Sequence, residues 1–168
     1  NHKKEGSLIA LEEPRSPIVE AYRAIRTSIN YASVDKPLKT FMITSMDPGE
    51  GKTTTLGNLA IVFAQTGKKV LVVDCDLRKP SLHRVFGCQN SFGLSNLLAQ
   101  PSEIPLEQAM QSTKMENLHV LSSGPLPPNP AEWLGSKKMK KILEKLTDYA
   151  DIVIIDTPPS LAVTDATV

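Results

Sequence analysis

Ser45-Met46-Asp47-Pro48-Gly49-Glu50-Gly51-Lys52-Thr53-Thr54-Thr55 is the stretch from which the rest of the chain can be read. It follows a short apolar, partly β-branched run, Phe41-Met42-Ile43-Thr44. It precedes a segment in which Leu56, Leu59, Ala60 and Phe63 recur at helical spacing, with Gly67 as the stop. The reading is a buried strand, a glycine-rich turn and a helix from Lys52 to about Gln65. In that setting Pro48, Gly49, Glu50 and Gly51 form a phosphate-binding turn. The two glycines let the backbone bend sharply and bring amide groups close to an anion, at which the following helix aims its positive end. Lys52 is placed to contact β and γ phosphates, the Thr53 hydroxyl to ligate Mg²⁺, and Thr54 to line the same first turn. Met46 stands where the usual pattern has its first glycine, so the motif is a variant. A Gly-Lys-Thr triplet by itself also occurs in ordinary loops.

Two further motifs give the turn a partner. Val70 to Asp74, VLVVD, reads as a second apolar strand, and it ends in Asp74-Cys75-Asp76-Leu77-Arg78. Asp151 to Asp156, DIVIID, is another, closed by Thr157-Pro158-Pro159. Strands separated by helices call for a parallel sheet, and in an open parallel sheet ligands gather at the carboxyl ends of the strands. The turn and the three aspartates therefore converge on one crevice. Asp156, after three aliphatic residues, suits a carboxylate that positions a nucleotide through Mg²⁺. Asp74 and Asp76 either help hold the metal and accept a proton from an attacking hydroxyl, or merely cap the turn that follows. Arg78 either stabilises phosphate charge or pairs with the aspartates. Cys75, between two acids that disfavour a thiolate, reads as buried filler, and the histidines show no metal-ligand spacing with the cysteines.

The remaining chain completes an α/β domain. Residues 1–15 are polar and without clear periodicity, an arm or linker to the domain of residues 16–168. Ser16-Pro17 starts a helix that runs to about Tyr31, with Ile18, Tyr22, Ile25 and Ile29 as the stripe facing the core. Glu20, Arg23 and Arg26 step by three around the adjoining face, which composition alone reads as solvated. Short helices are expected at 93–98 and 106–111, and a strand at 118–121. Four prolines between Gly124 and Pro130 force a stiff loop. One helix follows, with Asn129 as cap, Glu132 reaching back to it, and a solvent-facing lysine-rich side along LGSKKMKKILEKL. The fold class is a P-loop NTPase-like α/β domain whose mostly parallel sheet is flanked by helices on both faces. Nothing in the sequence covers the last strand, so the domain is expected to be truncated on its C-terminal side.

Composition narrows the function. The 168 residues are 40% hydrophobic and 22% charged, as in one globular domain. Nineteen basic against eighteen acidic residues, a formal net charge of +1, supply no global field for nucleic acid or anionic lipid. Two cysteines and no recognisable leader favour a reduced, cytoplasmic setting, and the apolar runs are strand-sized rather than membrane-spanning.

ITSMDPGEGKT, VVDCDLRKP and VIIDTPP together closely resemble the Walker A, A′ and B motifs of the bacterial tyrosine kinases of polysaccharide biosynthesis. The similarity extends through EAYRAIRTSIN and LSSGPLPPNPAEWL. It implies ATP- and Mg²⁺-dependent phosphorylation of protein tyrosine. Lys52 and Thr53 fall on Walker A, Asp74 and Asp76 on A′, and Asp156 on B. It further implies that Glu20, Arg23 and Arg26 form an oligomerisation signature between neighbouring subunits of a ring. A C-terminal tyrosine cluster that becomes phosphorylated is characteristic of that family; Tyr22, Tyr31 and Tyr149 form no such cluster. A membrane-embedded activator that recruits a cytoplasmic kinase to the inner face of the membrane is the implied partner. The competing reading is a MinD- or ParA-like switch ATPase. Those proteins carry a second lysine five residues before the P-loop lysine, where this chain has Asp47, and the chain has no basic stripe for DNA. A nucleotide-dependent scaffold without catalysis is a third possibility, disfavoured by the intact Lys52, Asp74, Asp76 and Asp156.

Overall fold

The structure is a computed structural model describing residues 8–32, 40–43, 50–100 and 104–158. Met46 to Gly49, Thr44 and the residues after Pro158 lie outside that set, so the expectations for the start of the phosphate turn and for the C-terminal end are not addressed by it. In chain order the elements are α1 (Ile9–Glu12), α2 (Pro17–Ala32), β1 (Thr40–Ile43), α3 (Glu50–Ala64), β2 (Val70–Asp74), α4 (Leu82–Phe86), α5 (Leu94–Ala99), α6 (Leu106–Ala109), β3 (Gln111–Ser112), β4 (Leu118–Leu121), α7 (Pro130–Leu134), α8 (Lys137–Tyr149) and β5 (Ile152–Asp156). The sheet order is β1-β5-β2-β4-β3. All neighbours are parallel except the short β3, which sequence reading omitted and which pairs antiparallel at the edge.

The central strands are aliphatic in both directions because both faces of the sheet are covered. Val70, Val72, Val120, Ile152 and Ile154 pack under α1 to α4, whereas Leu71, Val73, Leu121, Val153 and Ile155 pack against α5, α6 and α8. Helix α3 carries more than one apolar stripe: Leu59 to Ala64 are all buried, since α1, α2 and α4 close over the side turned away from the sheet. β5 inserts between β1 and β2, which sets Asp156 beside Asp74 in register and beside Ile43, the last residue of β1.

Several expectations are corrected. The arm is structured from Leu8 onward: α1 buries Ala10, whose amide donates to the Asn58 side chain on α3 at 2.9 Å. A single turn has no stability of its own, so tertiary contact holds it. On α2 the inward residues are Val19, Tyr22 and Ile29, at spacings of three and seven; Ile18 and Ile25 stay 44% and 43% exposed. Lysine-rich α8 is separated from α7 at Gly135-Ser136, because the Ser136 hydroxyl accepts from the Met139 amide and caps a new helix. The Asn129 side chain makes no cap hydrogen bond.

Candidate nucleotide and metal site

The three motifs meet at the carboxyl edge of the sheet. Lys52, in the first turn of α3, places its ammonium 2.6 Å from Asp156 Oδ1 and donates to the Thr157 carbonyl at 2.9 Å. Thr53, next on the helix and 2% exposed, donates from its hydroxyl to Asp156 Oδ2 at 3.3 Å. Its oxygen also lies 2.6 Å from the Ser81 hydroxyl oxygen. The chain thus crosses from α3 to the end of β5 and to the loop before α4 within one hydrogen-bonded cluster.

Asp74, fully buried at the end of β2, is tied to its own loop. One carboxylate oxygen accepts from the Asp76 amide at 3.0 Å, and the other from the Ser81 and Leu82 amides at 3.2 and 3.1 Å. Asp76 accepts from the amides of Arg78 and Lys79 through Oδ1, while Oδ2 makes no hydrogen bond among the described residues. The alternative in which both acids cap the turn is therefore realised as geometry. It does not remove them from the site, because the Asp156 charge acts on Asp74 and the Asp76 charge acts on Asp156. Burial raises Asp74 to a pKa of about 7, the neighbouring Asp156 charge adds to the rise, and the three amides oppose it. Burial also raises Asp156 above the ordinary carboxylate range, Lys52 pulls it back, and the Asp76 charge raises it again.

This donor set fits a divalent ion with phosphate. The Lys52 ammonium meets Asp156, and Asp156 and the neighbouring Asp74 are nearly inaccessible to water, so the crevice favours added positive charge. A buried Thr157 hydroxyl beside Lys52 lacks a hydrogen-bond partner among the described residues. A Cβ on Gly51 would meet none of their atoms within 4 Å, which leaves the helix start approachable. No group of three or more acidic, His or Cys side chains converges on one point among those residues. Mg²⁺ does not need one, since it takes one or two protein ligands and completes its shell with water and phosphate. Thr53 and Asp156 are best placed for that role.

The other expected site residues are distributed as follows. Thr54 is half-buried and its carbonyl accepts from Asn58, and Arg78 is exposed with its guanidinium unengaged by the described protein. Pro48 and Gly49 lie outside the described residues, and Glu50 begins α3. Far from this edge, Glu20 and Arg23 pair with each other, Arg23 also donates to the Pro14 carbonyl, and Arg26 donates to the Val62 carbonyl. Sequence reading missed Ser81 and the Thr157 carbonyl. A serine directly before an apolar helix turn was a readable cap signal, whereas a backbone carbonyl carries none.

Among the described residues no helix is long and apolar enough to cross a membrane. A family model described as "AAA domain" matches residues 38–168. The tyrosine-protein kinase YwqD of Bacillus subtilis (strain 168) is 52% identical over 164 residues, covering 98% of this chain and 68% of that protein. The kinase domain of the Escherichia coli tyrosine kinase ETK superposes with a TM-score of 0.85 at 40% identity, covering 95% of this chain and 62% of that one. The Mg-ADP complex of the septum site-determining protein MinD from Pyrococcus horikoshii shares the fold less fully, with a TM-score of 0.59 at 30% identity over 72% of this chain. The P-loop NTPase-like architecture is thus common to both groups, and by identity and coverage together the chain belongs to the family of bacterial tyrosine kinases.

Proposed function

We propose that this chain is the catalytic part of an ATP- and Mg²⁺-dependent protein-tyrosine kinase that regulates polysaccharide synthesis or export. The observation that carries the reading is Lys52 meeting Asp156 beside Asp74 and Asp76 at the sheet edge. The kinase relatives match nearly the whole chain, and the MinD-like fold matches less of it. Mg²⁺, held by Thr53 and Asp156 with Asp74 and Asp76 nearby, would supply charge neutralisation at the phosphates of the substrate ATP. Lys52 must leave Asp156 and the Thr157 carbonyl to reach those phosphates, with Gly51 and Thr54 lining the approach and Arg78 free to follow. Asp76 takes the tyrosine hydroxyl proton. Asp74 is raised to a pKa of about 7, but it is sealed from solvent with both oxygens accepting amide protons, and reach decides before acidity does.

The acceptor is tyrosine of the protein's own C-terminal tail, presented by a neighbouring subunit in a ring, together with other protein tyrosines. Glu20, Arg23 and Arg26 contribute to the subunit contact, a reading supported by the exposed Ile18 and Ile25 on the same helix. A membrane-embedded activator recruits the cytoplasmic kinase to the inner face of the membrane. Nucleic acid is not a partner.

Mass spectrometry of the full-length protein incubated with ATP and Mg²⁺ tests this. Phosphotyrosine is expected in the wild type, with a loss of at least about a hundredfold in Lys52→Met, because one positive donor to the transferring group is removed. Release of free phosphate without phosphotyrosine would favour the switch ATPase.

A further inference from the structure

Thr53 and Ser81 approach the site from opposite sides, one on α3 and the other in the loop leading to α4, and their hydroxyl oxygens end 2.6 Å apart. Ser81 is held there firmly. Its amide donates to Asp74 Oδ2 at 3.2 Å, and the adjacent Leu82 donates to the same oxygen at 3.1 Å while its side chain is fully buried in the core. The backbone carrying the Ser81 hydroxyl is therefore tied both to the acid ending β2 and to the hydrophobic interior.

A threonine oxygen that gives a lone pair to a cation becomes a stronger donor of its own proton, and that proton needs an acceptor. Among the described residues two are within reach of Thr53: Asp156 Oδ2 at 3.3 Å and Ser81 Oγ at 2.6 Å. Asp156 already serves Lys52 and is the carboxylate assigned to the cation. Ser81 is nearer, uncharged and without another duty at the site. We propose that Ser81 is a positioning residue, accepting the Thr53 proton and so turning the Thr53 lone pairs toward the divalent ion. This rests on the Mg²⁺ site of the proposed function. Outer partners of this kind tune metal affinity through the ligand they hold.

Full-length wild type, Ser81→Thr and Ser81→Val provide the test, since threonine and valine share a shape and differ in the hydroxyl. Both keep the amide that donates to Asp74. Binding of a fluorescent ADP is titrated with and without Mn²⁺, bound Mn²⁺ is counted by electron paramagnetic resonance, and the Mg²⁺ dependence of phosphorylation is recorded. Ser81→Val is expected to weaken Mn²⁺ binding about tenfold, to leave metal-free ADP binding unchanged, and to raise the KM for Mg²⁺ more than it lowers kcat. Ser81→Thr should stay near wild type. If valine does not fold, Ser81→Ala replaces it. The proposal is overturned if the hydroxyl-free variant binds Mn²⁺ like wild type, if threonine loses as much as valine, or if ADP binding falls equally with and without metal. A wild type whose ADP binding ignores Mn²⁺ removes the metal site itself, and with it the proposed function as well as the role of Ser81.

Discussion

The carboxyl edge of the sheet and the outer face of α2 both carry a row of acids and bases, but only one of them is enclosed. At the sheet edge Asp74 and Asp156 are 0% and 1% exposed, and Lys52 pairs with Asp156. On α2 the Glu20 side chain is 68% exposed, its partner Arg23 is a helical neighbour, and Arg26 is turned onto α3. Excess like charge in a dry crevice is costly unless a ligand relieves it, whereas a solvated pair one helical turn apart is worth little either way. The same residue types therefore signal a ligand site in the first region. In the second they signal at most a surface that another subunit could use.

The sharpest way to break this contrast is Asp156→Ala. It leaves the Lys52 ammonium, nearly buried, without its carboxylate, so a loss of roughly 3 kcal/mol in unfolding free energy by urea titration is expected, together with loss of metal-dependent nucleotide binding. A variant as stable as wild type would mean the edge behaves like a surface.

Next comes pH. Asp74 titrates near 7 in the folded chain against 3.8 for the unperturbed group, so between those values the folded state keeps a proton that the unfolded chain has released. Stability without ligand should consequently fall as pH rises from about 4 to about 7, and Asp156, raised in the same direction, adds to the slope. Melting scans across that range check it. Asp74→Asn should flatten the slope, and Mg²⁺ with ADP should oppose it. A melting temperature that rises with pH contradicts the shift.

The smallest effects belong to α2. Arg26→Ala should cost about 1 kcal/mol, since Val62 offers a late carbonyl of α3 that Arg26 satisfies. Glu20→Ala should cost less than about 0.5 kcal/mol. Light scattering on the Arg23→Ala, Arg26→Ala double variant is expected to show a smaller assembly than wild type; an unchanged mass counts against the ring contact, however much the melting temperature moves.

How far each region was legible follows from the same difference. Short uninterrupted apolar runs mark β2, β4 and β5, and apolar residues at helical spacing mark α3, because their burial is continuous along the chain. The apparent stripe on α2 misled because Ile18 and Ile25 share the apolar signature of a core face while Val19, one residue over, takes the buried place. α1 and β3 are too short to carry a period at all.

Lys52, Thr53, Asp74, Asp76 and Asp156 could be named from the order of residues alone, because a phosphate turn after a strand and acids at strand ends are local features tied to the ends of a parallel sheet. Only the folded chain decided that β5 lies between β1 and β2, that Asp74 spends both oxygens on its own loop, and that Ser81 reaches Thr53. Those facts depend on which distant segments become neighbours, and that is set by burying both faces of the sheet at once rather than by any spacing within a single segment.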